Sequence, residues 1–263
     1  MPAVVTFSLH RFDRLAAKIW AFGQMPIAKA ALRRVPGVVF AKMMGTGAGA
    51  GFSLRPNLSV YTMLCEWPSM EAARAALSDA PIFKNYRAKS AQTATLFLSP
   101  VSARGSWDGH RFETDLAAGG QTMPVVALTR ATLRPQSLLA FWRRVPVISD
   151  DVSGEPAKRF MMGTGEVPWL RQVTFSIWSD VAAMERFARK SASHGNAARL
   201  AYAENWFAEY CFMRFNLLEV QGDWPELSDL NASAWHAGRD AAKEQSKGRI
   251  PAYAFDGHGG AVS

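Results

Sequence analysis

The stretch Met43-Met44-Gly45-Thr46-Gly47 occurs a second time, without change, as Met161-Met162-Gly163-Thr164-Gly165. The two copies are 163 − 45 = 118 residues apart in a chain of 263 residues. An identical repeat of five residues at this distance indicates that the chain consists of two related halves. The sequence around the two copies supports the same interpretation.

Each half contains the same order of strands and helices. A Val-Val strand opens each half, Val4–Leu9 in the first and Val125–Arg130 in the second, and an amphipathic helix follows it. After the repeated stretch comes an apolar strand that ends in tryptophan, and then a helix that Ser69 or Asp180 caps. A last strand closes each half. The order is therefore βαββαβ, twice.

This order predicts an α+β fold made of two ferredoxin-like units. In such a unit the helices cover one face of a four-stranded antiparallel sheet and leave the other face open. Two units in one chain can pack their open faces together, so we predict tandem duplicated ferredoxin-like units packed as an intramolecular dimeric α/β-barrel. The predicted boundaries are 1–107 for the first unit, 108–123 for a linker, 124–224 for the second unit and 225–263 for a weakly ordered tail.

The glycine-rich run Gly45–Gly51 does not fit a dinucleotide-binding loop. Such a loop needs a helix that begins at the glycines and an acidic residue about twenty positions later. Here Pro56 and an apolar strand follow. We interpret the run as a loop between a helix and a strand, at the mouth of a pocket.

Composition limits the partners and the location of the protein. The formal net charge of +8 favours anionic lipid or acidic protein partners, but the basic residues are mostly isolated along predicted helices, so we expect no nucleic acid. Cys65 and Cys211 lie in apolar runs and are predicted to be buried thiols. The first residues lack the features of a signal peptide, and no apolar run reaches the roughly twenty residues of a membrane span. These features predict a cytoplasmic protein.

The five histidines have no spacing typical of a metal site with several protein ligands. A single axial ligand to haem needs only one histidine, and His194 lies at the start of a predicted helix in the second half. The matching position in the first half is Phe83, so one haem site per chain would result. A capping or hydrogen-bonding role for His194 is the alternative.

Three further residues are candidates for contact with this cofactor. The guanidinium of Arg199 could pair with a haem propionate, and the rings of Trp206 and Phe207 could form a wall for a flat group. The alternatives are an exposed helix charge for Arg199 and ordinary core positions for the two aromatic residues.

The chain resembles the spheroidene monooxygenase family from residue 1 to about Trp224. The family has a His-Gly at the place of His194-Gly195, an arginine like Arg199 and a Trp-Phe like Trp206-Phe207. Further matching stretches are Arg11-Phe12-Asp13, Trp20–Met25, Ala127–Thr132, Phe141-Trp142-Arg143, Gly165–Pro168 and Gln172–Trp178.

The resemblance implies a haem-dependent monooxygenase, a ketolase that inserts oxygen at C2 of an acyclic carotenoid such as spheroidene. It implies haem b with His194 as the iron ligand, cofactor contacts from Arg199, Trp206, Phe207 and Arg143, and electrons from reduced ferredoxin. A carotenoid does not diffuse through water, so we expect peripheral association with a membrane surface. A homo-oligomer is compatible with this interpretation.

Three departures from the family pattern leave the substrate open. The chain has Glu204-Asn205 where the family usually has Glu-Gly, Tyr210-Cys211-Phe212 where the family has a Glu-Leu-Tyr-type run, and Tyr61 where a tryptophan is common. Three other functions also stay open. They are a different haem enzyme on the same scaffold, like an aldoxime dehydratase, a non-catalytic carrier of haem or carotenoid, and a cofactor-free monooxygenase of the small dimeric α/β-barrel type.

Overall fold

A computed structural model of the chain describes residues 3–48, 55–115, 124–143, 154–190 and 204–230. These residues form eight strands and five helices, which we number in chain order. The elements are β1 (Val4–Arg11), α1 (Leu15–Leu32), β2 (Phe40–Gly47), β3 (Pro56–Trp67), α2 (Met70–Asp79), α3 (Pro81–Lys89), β4 (Gln92–Gly105), β5 (Val125–Leu133), α4 (138–143), β6 (Lys158–Val167), β7 (Arg171–Trp178), α5 (Val181–Lys190) and β8 (Phe207–Asp223).

The eight strands form one closed barrel in the order β1-β3-β2-β6-β7-β5-β8-β4, and every neighbouring pair is antiparallel. This confirms the predicted α+β barrel. Each half of the chain contributes four adjacent strands. Their orders are β4-β1-β3-β2 in the first half and β8-β5-β7-β6 in the second.

Two junctions of unequal length join the halves. Strands β4 and β8 pair along most of their length, from Thr93 opposite Asp223 to Gly105 opposite Cys211. Strands β2 and β6 pair only at the repeated stretch, where Gly45 lies opposite Gly165 and Thr46 opposite Thr164. The two copies of the repeat therefore lie side by side. We call this β2–β6 junction the seam.

The interpretation of the glycine-rich run as a loop was wrong for its first part. Gly45–Gly47 belong to β2, and the corresponding Gly163–Gly165 belong to β6. Backbone pairing explains this placement, because β2 lies between β3 and β6 and its N–H and C=O groups find partners on both sides.

Alternating side chains of the strands fill the barrel interior. In β1, Val5, Phe7 and Leu9 are fully buried in this core. The ring of Phe7 stacks on that of Phe175 from the second half, with 4.0 Å between the ring centroids. Because residues of both halves meet in this way, the two halves share one core. Burial of each such side chain contributes about 1.5–3 kcal/mol to the stability of the fold.

A second apolar layer lies between the outer face of the first-half sheet and helices α1 to α3. It includes the fully buried side chains of Phe12, Trp67 and Phe83. The predicted cap of α2 is confirmed, since the Ser69 hydroxyl accepts a hydrogen bond from the Ala72 N–H at 3.2 Å. Among the described residues no helix has the length and apolarity that would let it cross a membrane.

Other local predictions also hold. The carboxylate of Asp180 accepts a hydrogen bond from the Ala183 N–H at 2.7 Å, as expected for a residue that caps α5. Cys65 and Cys211 are both buried free thiols, and burial is the main reason that the pKa of each is raised. The final described segment, Pro225–Leu230, forms a short 3-10 helix whose leucines pack into the barrel core.

Glycine and tryptophan close both ends of the barrel. Gly105 and Gly222 end β4 and β8 with φ of 90° and 105°. A Cβ atom at these positions would lie 2.1 Å from the Tyr210 carbonyl oxygen and 2.2 Å from that of Thr93, respectively. Only glycine combines this conformation with so close an approach. Two residues after each glycine comes a buried tryptophan, Trp107 or Trp224.

Candidate functional sites

Three of the five residues predicted to contact haem lie in the described part of the chain. Trp206 is buried, and its indole N–H donates to the Glu204 carboxylate at 2.7 Å. Phe207 begins β8 and is half-buried, while Arg143 is exposed on α4. His194 and Arg199 lie outside the described residues, so their roles stay predictions.

The turn before Trp206 explains one departure from the family pattern. Asn205 has a φ of 51°, in the left-handed region. Glycine adopts this conformation without strain, and asparagine tolerates it better than most residues do. The asparagine in place of the usual glycine is therefore compatible with the backbone that positions Trp206.

The described histidines do not offer a haem ligand. Burial, and then the nearby Arg87 charge, lowers the pKa of His10 to about 3, so its imidazole is neutral. Its Nδ1 lies 3.4 Å from the Ser90 hydroxyl, and its Nε2 has no hydrogen-bond partner among the described residues. However, the cavity beside it has a volume of only about 170 Å³. This is below the roughly 300–1,000 Å³ of ordinary ligand pockets and too small for a porphyrin.

The other described histidine, His110, is already engaged. Its Nε2 lies 2.6 Å from a carboxylate oxygen of Glu66, and its ring stacks on Phe40 with 4.6 Å between centroids. The described residues also contain no group of three or more His, Cys, Asp or Glu side chains that could hold a metal ion.

One end of the barrel holds a group of charged side chains that the sequence analysis did not identify. We call it the barrel-end cluster. It brings together charges from both halves and from the turn after β4, and its members are Lys42, Asp108, Arg130, Glu166, Arg171 and Glu209.

Arg130 forms the buried centre of this cluster. Its side chain is 0% exposed, and its guanidinium donates to Glu209 at 2.5 Å and to Asp108 at 3.3 Å. Burial alone would raise the pKa of each carboxyl. Instead, hydrogen bonds and nearby cations hold both values below their ordinary range, chiefly Lys42 at Asp108, and Gly109 N–H, Ser106 and Arg130 at Glu209. Both carboxyls are therefore ionised at neutral pH and do not serve as proton donors.

Lys42 connects the cluster across the seam. Its ammonium group contacts Asp108 and lies 2.9 Å from Glu166 of β6. The second oxygen of Glu166 accepts a hydrogen bond from the indole N–H of Trp107 at 2.7 Å. The turn that carries Trp107 and Asp108 is thereby fixed over the barrel end. The cluster closes this end of the core with paired and hydrogen-bonded charges.

A second candidate site is an apolar cleft of about 270 Å³ at the seam. We call it the seam cleft. The four glycines of the two repeats line it, and side chains from α1, β3 and the turn between β6 and β7 complete its walls. The prediction that these glycines lie beside a pocket therefore holds, although they belong to strands. The apolar and aromatic side chains of its walls include Phe22, Met25, Leu58, Tyr61 and Trp169.

Two wall residues of the seam cleft have unusual features. Tyr61 is 3% exposed, and its hydroxyl has no hydrogen-bond partner among the described residues. Burial raises its pKa, so this hydroxyl is protonated at neutral pH. Trp169 is 53% exposed and has a φ of 63°, an uncommon conformation for a bulky residue. Its carbonyl accepts a hydrogen bond from the Trp142 indole at 3.1 Å.

The fold of this chain also occurs in proteins of known structure. The chain is similar to two solved aldoxime dehydratase structures, one of them in complex with butyraldoxime. For that complex the TM-score is 0.55 at 8% identity, over 82% of this chain and 79% of that chain. For the second the TM-score is 0.53 at 9% identity, over 85% of this chain and 86% of that chain. This likeness concerns the fold alone.

Sequence relatives are much closer. No family model matches the chain. It is 42% identical to the spheroidene monooxygenase of Rhodobacter capsulatus, over 85% of this chain and 93% of that protein. It is 38% identical to the spheroidene monooxygenase of Cereibacter sphaeroides, over 84% of this chain and 68% of that protein. The likeness predicted from the sequence is thus confirmed, and the chain belongs to the spheroidene monooxygenase family.

Proposed function

We propose that this protein is a carotenoid monooxygenase, a ketolase that inserts oxygen at C2 of an acyclic carotenoid such as spheroidene. The observation that carries this proposal is the family membership, which extends along most of the chain. The apolar seam cleft is consistent with a hydrocarbon substrate, because such a cleft excludes water and presents few polar groups to a ligand.

The fold is best understood as a tandem duplication of one ferredoxin-like unit. Both halves arrange their strands in the same order, and this is the order expected of a βαββαβ unit. The repeated stretches also meet as neighbours, Gly45 with Gly165 and Thr46 with Thr164, as two related units would place them. Duplication leaves each half free to specialise, and we assign the cofactor to the second half.

The proposed cofactor is haem b, with His194 as its iron ligand. The described residues leave this role to a histidine elsewhere, since His10 has too small a cavity and His110 is bonded to Glu66. Arg199 would pair with a propionate, and Trp206 and Phe207 would contact the ring, with Arg143 nearby. Bound haem supplies activation of molecular oxygen with electrons from reduced ferredoxin.

The described residues contribute positioning in this proposal. The indole N–H of Trp206 donates a hydrogen bond to the Glu204 carboxylate over 2.7 Å, and this bond fixes the orientation of the indole. The backbone carbonyl of Trp206 accepts from the Arg134 N–H at 2.8 Å, which ties this turn to the end of β5. A rigid aromatic wall of this kind orients a flat group without loss of side-chain entropy on binding.

The cofactor proposal is tested by colour. The purified protein should show the Soret absorption of haem, and its spectrum should shift when the protein is reduced and exposed to carbon monoxide. His194→Ala should lose this absorption, whereas His10→Ala should keep it. A full Soret band in the His194→Ala protein would remove the ligand assignment. If the wild-type protein is colourless after expression with ample haem, the proposal that it binds haem is wrong.

The reaction is tested by its products. Spheroidene, reduced ferredoxin and oxygen should give the ketone, and omission of oxygen should abolish product formation. Conversion of an aldoxime without oxygen would instead favour an enzyme of the kind suggested by the structural likeness. Bound carotenoid that is never converted would favour a carrier.

Helix α1 supports peripheral contact with an anionic membrane. Its outer side exposes Leu15, Ile19 and Phe22, each by more than 60%. From Arg14 to Cys65 the sequence contains Lys and Arg but no Asp or Glu. An exposed apolar stripe within a basic segment is typical of helices that lie in the lipid interface.

Vesicle binding tests this contact. The protein should sediment with vesicles that contain phosphatidylglycerol and much less with pure phosphatidylcholine, and added salt should weaken binding. Replacement of Leu15 and Ile19 by Glu should reduce sedimentation, whereas replacement of the exposed Leu139 by Glu should not. Equal binding by all three proteins would contradict a role for α1.

A further inference from the structure

The seam cleft contains one polar group that needs a partner. Tyr61 lies on the outer face of β3 under α1, and its hydroxyl is buried without a hydrogen-bond partner among the described residues. A buried hydroxyl that makes no hydrogen bond is costly. A ligand that brings an oxygen atom to Tyr61 would remove this cost, because the protonated hydroxyl can donate to it.

The rest of the cleft favours a hydrocarbon. Phe22, Met25, Leu58 and Trp169 present apolar surface to it. The glycine floor leaves room for a ligand, since a Cβ atom at Gly45 would meet no atom within 4 Å. The cleft thus combines largely apolar walls, with Asn57, Glu166 and Gln172 as polar members, and one tyrosine hydroxyl that has no partner among the described residues.

The size of the cleft limits how much of a ligand it can hold. Its volume of about 270 Å³ is slightly below that of ordinary ligand pockets, which span about 300–1,000 Å³. A carotenoid is far longer than such a cavity, so only one end of it can fit. Phe22 lines the cleft and belongs to the exposed apolar stripe with Leu15 and Ile19. This stripe offers a surface for the remaining chain.

From these observations we infer that the seam cleft binds the oxygen-bearing end of a long polyene, with the Tyr61 hydroxyl donating a hydrogen bond to an ether or hydroxyl oxygen there. Tyr61 is then a specificity-determining residue that distinguishes an oxygenated polyene from a pure hydrocarbon. This inference rests on the proposed function for the class of ligand, and it adds the place of binding and the recognised group.

Binding measurements with two probes test the inference. The probes are a polyene with a methoxy group near one end and the hydrocarbon polyene of the same length, both in detergent, and binding is followed by the shift of the polyene absorption. The wild-type protein should bind the methoxy polyene more tightly. Tyr61→Phe should weaken this binding about five- to tenfold, as expected for one hydrogen bond, and leave hydrocarbon binding unchanged.

A second variant tests the location independently of Tyr61. Gly45→Leu places its Cβ atom in open space, so its side chain should occupy part of the cleft and should weaken binding of both probes by about tenfold or more. Gly154→Leu is the matched control, because Gly154 is exposed, lines neither the cleft nor the α1 stripe and also has open space around its Cβ position. It should bind like the wild type.

Three outcomes would overturn the inference at different levels. Equal binding by Gly45→Leu and Gly154→Leu would show that polyene binds elsewhere. Equal effects of Tyr61→Phe on both probes would show that its hydroxyl does not recognise oxygen. If the wild type binds neither probe, the proposed function fails together with the inference. Urea unfolding checks each variant, and Tyr61→Phe should unfold no earlier than the wild type, because it removes a hydroxyl that makes no hydrogen bond to any described residue.

Discussion

The two ends of the barrel are closed by the same pair of residue types in opposite chemical surroundings. At one end Gly105 and Trp107 lead into the barrel-end cluster, where the indole of Trp107 donates to Glu166. At the other end Gly222 and Trp224 lead into Pro225–Leu230, whose leucines extend the apolar core. The indole N–H of Trp224 has no partner in the described part of the chain. The two turns have a similar backbone geometry at Gly105 and Gly222, yet one end of the barrel is closed by charged side chains and the other by apolar ones.

The largest difference between the two ends should come from their arginines. Arg130→Met should lower the free energy of unfolding by about 3–5 kcal/mol, because it removes the buried guanidinium that pairs with Glu209, whereas Asp108 keeps Lys42 and Arg171. At the other end Arg11 is 29% exposed and lies over Trp224 with 4.5 Å to the ring centroid. Arg11→Met should cost about 1 kcal/mol or less. Urea unfolding measures both.

A double variant controls for the change in shape. Glu209→Gln introduced with Arg130→Met removes the carboxylate charge that has lost this cation and should recover part of the lost stability. Equal losses from Arg130→Met and Arg11→Met would show that the charged end is no more dependent on its cation than the apolar end.

Replacement of Trp107 and of Trp224 by phenylalanine should change the free energy of unfolding by amounts that differ by the contribution of one hydrogen bond. Trp107→Phe and Trp224→Phe remove the same volume, so the loss from packing is similar. Trp107→Phe also removes a donor from the Glu166 carboxylate and should cost about 1.5–3 kcal/mol more in the free energy of unfolding. Thermal or urea unfolding of the two proteins tests this difference. A larger loss at Trp224 would contradict the assignment.

The glycines should behave alike, which makes them the control for backbone geometry. Gly105→Ala and Gly222→Ala each place a Cβ atom against a carbonyl oxygen in a positive-φ conformation. Each should lower the free energy of unfolding by about 1–3 kcal/mol. An alanine tolerated at one end only, as judged by unfolding midpoints, would mean that the two turns are not equivalent.

Acid should weaken the charged end by a smaller amount. The pKa values of Asp108 and Glu209 are below their ordinary values of 3.8 and 4.5 in the folded protein. Their contribution to stability is complete above the ordinary values and is lost as pH falls through the lowered ones. Both groups are partly exposed, so we expect less than about 1.4 kcal/mol from each.

The variants separate this effect from general acid unfolding. Asp108→Asn should give a shallower fall in the free energy of unfolding between pH 5 and pH 3 than the wild type. Arg11→Met should keep the wild-type slope, because it removes no carboxylate from the barrel-end cluster. Identical slopes in Asp108→Asn and the wild type would argue against the lowered pKa.

The fold was accessible from the sequence because its signals are local and repeated. Alternation in Val4–Leu9 and Val125–Arg130 identified strands, and Ser69 and Asp180 identified helix starts. The repeat of Met43–Gly47 led to the prediction of two related halves. Each signal depends on residues close together in the chain.

The barrel-end cluster was not accessible in the same way, because its members come from distant segments. A partial signal existed. In β5 Arg130 alternates with Leu128 and Val126, so the strand pattern places a charge on the core face, and Lys42 and Glu66 also interrupt apolar runs. Their pairing depends on how the strands close into a barrel. The glycines were misplaced for a similar reason, since pairing with β3 and with the other copy of the repeat makes that stretch a strand.

The unequal junctions give the barrel one strong closure and one weak closure. The long β4–β8 ladder holds the halves together, whereas β2 and β6 share only the pairs Gly45–Gly165 and Thr46–Thr164 within the described residues. Local opening therefore requires the fewest broken hydrogen bonds at the seam. The seam is therefore where the two halves of the barrel can separate with the smallest loss of backbone pairing, while the β4–β8 ladder stays intact.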